Sequence, residues 1–207
     1  MLSEIILVRH GEADHMIKNL TGGWSNVHLT PKGRIQAQKT AKFLYSTLAA
    51  DFITLYSSDL ARALETSNII NSDLDKTLKI IKELRELSNG DAKNLTQKEA
   101  KEIYISPTEP LLDWIPYPNG ESWRMLYNRI SQFMEEVNLK DEARIIIVSH
   151  GNAICAIIHW WLKLDFEKIN HISYDIDPCS VSRLRINNWG DKTISYLNQT
   201  LHLRNSY

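Results

Sequence analysis

Short, continuous aliphatic runs alternate with amphipathic stretches along this chain. Residues 5–8 (IILV), 52–56 (FITLY) and 144–148 (RIIIV) are such runs, and they have the length and apolar continuity of strands buried on both faces. A shorter run, LKII at 78–81, is a fourth strand candidate. Between the runs the period changes. Ala37, Ala41, Leu44 and Leu48 fall at helical spacing behind Thr30-Pro31, an N-cap followed by proline at the first helical position. SSDLARALETSNII (57–70) opens on capping residues and continues as a helix. Thr96 and Glu99 have capping-box spacing, and Leu126, Ile130, Phe133 and Val137 mark one face of a strong helix. Ile154, Ile157, Ile158, Trp161 and Leu162 place another helix on the core. The end turns to period two in SVSRLRI (180–186) and TISYL (193–197). This order predicts an α/β fold: a three-layer sandwich with a mostly parallel central sheet flanked by helices, in one domain over residues 1–207. SPTEPLLDWIPYPNG (106–120), with four prolines, is a loop. It is a candidate lid through Trp114, Ile115 and Tyr117, or a rigid surface loop pinned by its aromatics.

Composition narrows the field. The formal net charge is -1, so nothing global favours nucleic acid or an anionic membrane; an anion site must be a local cluster. The two cysteines, Cys155 and Cys179, make neither a disulfide framework nor a zinc pattern and read as free thiols in a reducing compartment. The amino-terminal apolar run is too short for a signal sequence, and no stretch reaches the length of a membrane helix. The expected location is cytoplasmic. Trp160 and Trp161 fit either a core position or a homodimer patch.

One self-similarity changes the picture. ILVRHGE (6–12) and IIVSHGN (146–152) share a construction: an aliphatic strand, a polar residue, histidine, glycine. Ligands of open parallel sheets bind outside the carboxyl ends of the strands, so His10 and His150 are expected to meet in one pocket. Gly11 and Gly151 would let the backbone turn and approach a ligand closely. The first N–H groups of the helix after His150, near Gly151 and Asn152, favour an anion. Arg9 precedes His10, and Arg62 lies near the start of the helix after FITLY, where a cation opposes the helix dipole. Such a broken local rule marks function, although an Asp59–Arg62 surface pair is the ordinary alternative. Two arginines and two histidines suit a phosphate dianion. His10 with Glu12, Asp14 and His15 is a weaker alternative, a metal cluster without a familiar ligand spacing. His15 itself reads as an exposed loop histidine or a secondary phosphate contact.

These segments resemble the histidine phosphatase superfamily, the phosphoglycerate-mutase-like enzymes. LVRHGE carries the signature. GWSNVHLTPKGRIQAQ (23–38), SSDLARALETS (57–67), LRELSNG (84–90), PNGES (118–122) and IIIVSHGNAI (145–154) follow in the family's order. The resemblance runs from residue 5 to about residue 163. It implies that His10 is the nucleophile, that Arg9, Arg62 and His150 hold the phosphoryl oxygens, and that Glu86 is the general acid and base. It implies weaker substrate contacts at Thr21 and Gly22, alongside the backbone contact read above at Gly151, no metal and no cofactor, and a small phosphorylated metabolite as partner. Without it, Glu86 reads as a carboxylate paired with Arg85 or Lys82. The chain departs from the family at 15 and 16, where His15 and Met16 replace a usual Trp-Asn, and at 92 and 94, where Ala92 and Asn94 break a usual Gly-Asp-Trp-Glu-Gly. Only residues 87–119 separate Glu86 from Gly120, a shorter insert than the mutases have. The resemblance therefore implies a phosphomonoester hydrolase of the small broad-specificity or α-ribazole phosphatase type. Phosphoglycerate mutase is the alternative, and a non-catalytic phospho-ligand binding module is a more distant one.

Overall fold

A computed structural model describes residues 2–48, 53–140 and 142–204. Six strands form one sheet: β1 (Glu4–Arg9), β2 (Thr54–Ser58), β3 (Leu78–Ile81), β4 (Arg144–Ser149), β5 (Val181–Ile186) and β6 (Lys192–Gln199), in the order β3-β2-β4-β1-β5-β6. The pairs β3–β2, β2–β4 and β4–β1 are parallel, while β1–β5 and β5–β6 are antiparallel. The mostly parallel sheet expected from sequence is thus present, with an antiparallel edge from the period-two segments.

The first helix, α1 (Asp14–Ile17), is a single turn after β1, and the longer helices pack on the sheet, with burial following the pleat. Ile5, Leu7, Ile145 and Ile147 face a cluster built with α5 (Trp123–Asn138) and α6 (Gly151–Leu162). Ile6, Val8, Ile146 and Val148 face α2 (Pro31–Leu48) and α3 (Ala61–Leu74) on the other side. Successive strand side chains point to opposite faces, so a continuous aliphatic run feeds both layers at once. Each such side chain contributes about 1.5–3 kcal/mol by leaving water. Trp160 and Trp161 are buried, with Trp160 Nε1 donating to Glu135 at 2.7 Å. They belong to the core and not to a dimer patch.

Local signals largely hold. Thr30 Oγ1 accepts from Gly33 N at 3.0 Å, capping α2. The Thr96–Glu99 capping box opens α4 (Gln97–Glu102). The second strand and the helix after it lie later than expected. Phe52 is outside the described residues, β2 runs Thr54–Ser58, and the helix starts at Ala61 because the capping candidates Ser57 and Ser58 stay in the β2 ladder opposite Ile80 and Ile81. Loop 106–120 folds on its neighbours. Trp114 Nε1 donates to Ile105 O at 2.9 Å, and Tyr104 packs edge-on against Trp114 and Tyr117. These contacts are those of the pinned-loop alternative, and no residue of the loop lines the cavity described below.

The start of α2 presses on the turn after β1. A Cβ on Gly11 would sit 2.6 Å from Gly33 O, and one on Gly33 would overlap Glu12 O. Gly11 is therefore required by backbone contact with a helix, a different reason from the ligand approach expected from sequence. Gly33→Ala is expected to destabilise the fold by about 2–3 kcal/mol through overpacking, read as a lower urea midpoint at unchanged slope.

Candidate active site

Parallel pairing assembles the site. Val8 lies opposite Val148 and Arg9 opposite Ser149 in the β1–β4 register, so His10 and His150 leave adjacent strands at the same level. Their rings lie 5.1 Å apart, edge to face, and both are fully buried. His10 Nδ1 is 2.8 Å from Gly11 O, and Arg62 Nε donates to His10 Nε2 at 3.1 Å. A carbonyl can only accept, so the ring proton sits on Nδ1 and the Nε2 lone pair faces the guanidinium. Burial first, then Arg62 and Arg9, pushes the His10 pKa well below its ordinary value; the ring is a neutral base at physiological pH.

Arg62 is a buried hub, 1% exposed. Nη1 donates to Ser25 O and Nη2 to Gly23 O, each at 2.7 Å. The Asp59 pair weighed from sequence does not form, because Asp59 takes a fork from Arg85 at 2.6 and 2.7 Å. Burial lowers the Arg62 pKa to about 10, which leaves it charged. Arg9 Nη1 donates to Ile176 O, while Arg9 Nε is buried without a partner among the described residues. His150 Nε2 lies 2.9 Å from Ser58 Oγ, and His150 Nδ1 is also buried and unpartnered. Burial, then Arg62, His10 and Arg9, lowers the His150 pKa.

Glu86 follows β3 after a short turn at Lys82–Leu84. Its Oε1 accepts from Leu87 N at 2.8 Å and its Oε2 from Asn152 N at 3.4 Å. It pairs with neither Arg85 nor Lys82, and it occupies the N–H at the start of α6 that sequence reasoning offered to a ligand. Gly151 lies between the carboxylate and the clamp: a Cβ there would stand 3.8 Å from Glu86 Oε2 and 4.0 Å from Arg9 Cζ. The Glu86 carbonyl accepts from Trp24 Nε1 at 2.6 Å and from Arg129 Nη2 at 2.8 Å.

The remaining candidates divide. The Thr21 hydroxyl donates to Ala92 O and Leu95 O. Gly22 backs the His15 ring, which a Cβ would meet at 2.9 Å. His15 is no exposed loop residue: its ring lies 6.2 Å from that of His10, and burial with Arg62 and Arg9 lowers its pKa to about 4. Glu12 is engaged by Thr30 and Lys32, each at 2.8 Å, and Asp14 by Lys18 at 3.6 Å. Among the described residues no group of three or more metal-ligating side chains converges. Sequence reasoning missed Ser58, Arg129, Trp24 and the carbonyls of Gly23 and Ser25. A cavity of about 510 Å³ opens beside the cluster, walled by Arg9, Glu86, Gly151 and Asn152 and, opposite, by loop 173–177 and Asn198.

A neutral imidazole lone pair between two guanidiniums, at the carboxyl ends of parallel strands, is an arrangement that binds an oxyanion and can attack it. The chain belongs to the histidine phosphatase superfamily (branch 1), whose pattern matches residues 5–200. It is 32% identical over 179 residues to a 2,3-bisphosphoglycerate-dependent phosphoglycerate mutase of Cytophaga hutchinsonii, covering 81% of each chain. It is 31% identical over 215 residues to phosphoglycerate mutase-like protein 4 of Arabidopsis thaliana, covering 99% of this chain and 91% of that one. The fold superposes on an α-ribazole phosphatase of Shigella flexneri with a TM-score of 0.79 at 24% identity, covering 95% of this chain and 96% of that one. No helix among the described residues is long and apolar enough to cross a membrane.

Proposed function

We propose that this protein hydrolyses phosphomonoesters of small metabolites through a phosphohistidine on His10. The observation that carries the reading is the fixed tautomer of His10, with Nδ1–H held by Gly11 O and Nε2 turned to Arg62. The Nε2 lone pair attacks phosphorus as the ester P–O bond breaks, and protonated Glu86 gives its proton to the leaving oxygen. Water then attacks the phosphohistidine and passes a proton to Glu86, and the N–P bond breaks to restore the Nε2 lone pair. Arg62 Nε, released as the His10 Nε2 lone pair it holds turns to phosphorus, and the unpartnered Arg9 Nε are donors for the phosphoryl oxygens. Ser58 Oγ accepts from Leu60 N at 3.3 Å, and in the tautomer that makes His150 a donor to phosphate the Ser58 proton serves His150 Nε2. That leaves the His150 proton on Nδ1 as a further donor. Preorganised donors of this kind supply most of the rate in phosphoryl transfer.

Hydrolysis is favoured over mutase chemistry by the short segment between Glu86 and Gly120, residues 87–119, none of which lines the cavity beside Arg9 and Glu86. Similarity to named mutases at 31–32% identity supports the second reading, phosphoryl transfer between hydroxyls of phosphoglycerate. Phosphate release from a panel of esters in EDTA, lost in His10→Ala, tests the first. Isomerisation of 3-phosphoglycerate without phosphate release would establish the second. Glu86→Gln is expected to slow alkyl phosphates by about 10²–10³-fold and aryl phosphates far less, because only poor leaving groups need the proton. Equal losses across leaving groups would remove Glu86 from that role.

A further inference from the structure

The cavity walled by Arg9 and Glu86 carries a charge pattern that the chemistry above does not use. Arg9 and Glu86 belong to the reacting end. Beyond them the wall is loop 173–177, and its charged groups are Asp175 and Asp177. Arg9 is the one cation among the described residues that line the cavity, and its charge is matched by the phosphoryl group. Asn152 and Asn198 supply neutral polar edges.

The acidic wall is held in place. Cys155 Sγ lies 3.7 Å from Tyr174 O, the Tyr174 ring packs on His159 at 5.4 Å, and Ile176 O accepts from Arg9. Asp177 N donates to Asn198 Oδ1 at 2.7 Å, and Asn198 Nδ2 donates to Asp177 Oδ2 at 3.0 Å. The same loop that holds Arg9 thus places Asp175 and Asp177 in the wall that continues from Arg9 and Glu86. A carboxylate or second phosphate on the organic part would face like charges, and an ammonium or hydroxyl donor would face acceptors.

We propose that Asp175 and Asp177 make this site selective for phosphorylated compounds whose organic part carries an ammonium group, and select against those whose organic part is anionic. This rests on the hydrolase reading for the identity of the cavity, and it opposes phosphoglycerate as the natural substrate.

Two non-hydrolysable phosphonates of matched length isolate the charge. 2-Aminoethylphosphonate and 3-phosphonopropanoate carry opposite charges on the second carbon and have no leaving group to differ in reactivity. Calorimetry at low salt is expected to show the amine binding about tenfold tighter, the scale of two partly screened ion pairs. Asp175→Asn with Asp177→Asn should bring the ratio near one, and salt should compress it in the parent protein. Asp175→Asn alone, at an exposed position, should move it part of the way if the double variant folds poorly. Equal binding in the parent, tighter binding of the carboxylate, or a ratio unmoved in folded variants would overturn the proposal. Failure of the hydrolase reading shows separately: 4-nitrophenyl phosphate would not be turned over while the binding ratio still held.

Discussion

His10→Ala is expected to reduce turnover of an aryl phosphate by about 10⁴–10⁶-fold, the scale seen when a covalent nucleophile is removed. The acid-labile, base-stable phosphoryl label of a quenched reaction should vanish with it. A cooperative unfolding transition should remain, because the ring sits at the end of β1 and the aliphatic strand residues behind it are untouched. The parent protein should keep activity well into mild acid. The pKa of His10 lies below its ordinary value, so the neutral nucleophile persists as pH falls past 6.5. Stability behaves oppositely. A buried neutral histidine takes up its proton only on unfolding, so His10, His15 and His150 all favour the unfolded chain as pH drops from about 6.5 toward their folded values. The melting temperature should fall over that window, and circular dichroism melts between pH 7.5 and 5 check it.

Arg62→Lys is expected to cost both rate and stability. One ammonium cannot reach His10 Nε2, Ser25 O and Gly23 O together as the planar guanidinium does. Two buried carbonyls lose their donors, a loss of about 2–3 kcal/mol. Loss of an oriented charge on the transition state should lower kcat/KM by about 10²–10³-fold. Urea unfolding and steady-state kinetics separate the two effects. A variant with parental stability and rate would show that the hub is not needed.

The pair of strand–His–Gly segments was legible because a parallel sheet converts a sequence pattern into position: identical endings on neighbouring strands must lie side by side. The sheet, its two helix layers and the caps at Thr30 and Thr96 were legible for the same local reasons. What was hidden depends on the backbone. Nothing in the residue types at 23 and 25 announces that their carbonyls hold Arg62, since every residue has a carbonyl. Ser58 reads as a cap and is a strand residue serving His150. Gly11 reads as a ligand contact and is a helix contact. Arg129 sits on the polar edge of α5 and looks like surface, yet it ties Glu121 to the carbonyls of Glu83, Arg85 and Glu86. Such long-range side chain to main chain bonds leave no periodic trace.

The segment from Gly23 to Ser25 holds Arg62 through two carbonyls and Glu86 through the Trp24 indole. Changes there should prove strongly epistatic, since one displacement moves the clamp and the carboxylate together. Loop 173–177 meets the reacting end through Arg9. In a lineage under selection for new substrates, variation can accumulate in the second loop while the first stays frozen. Specificity can then drift without the chemistry being rebuilt.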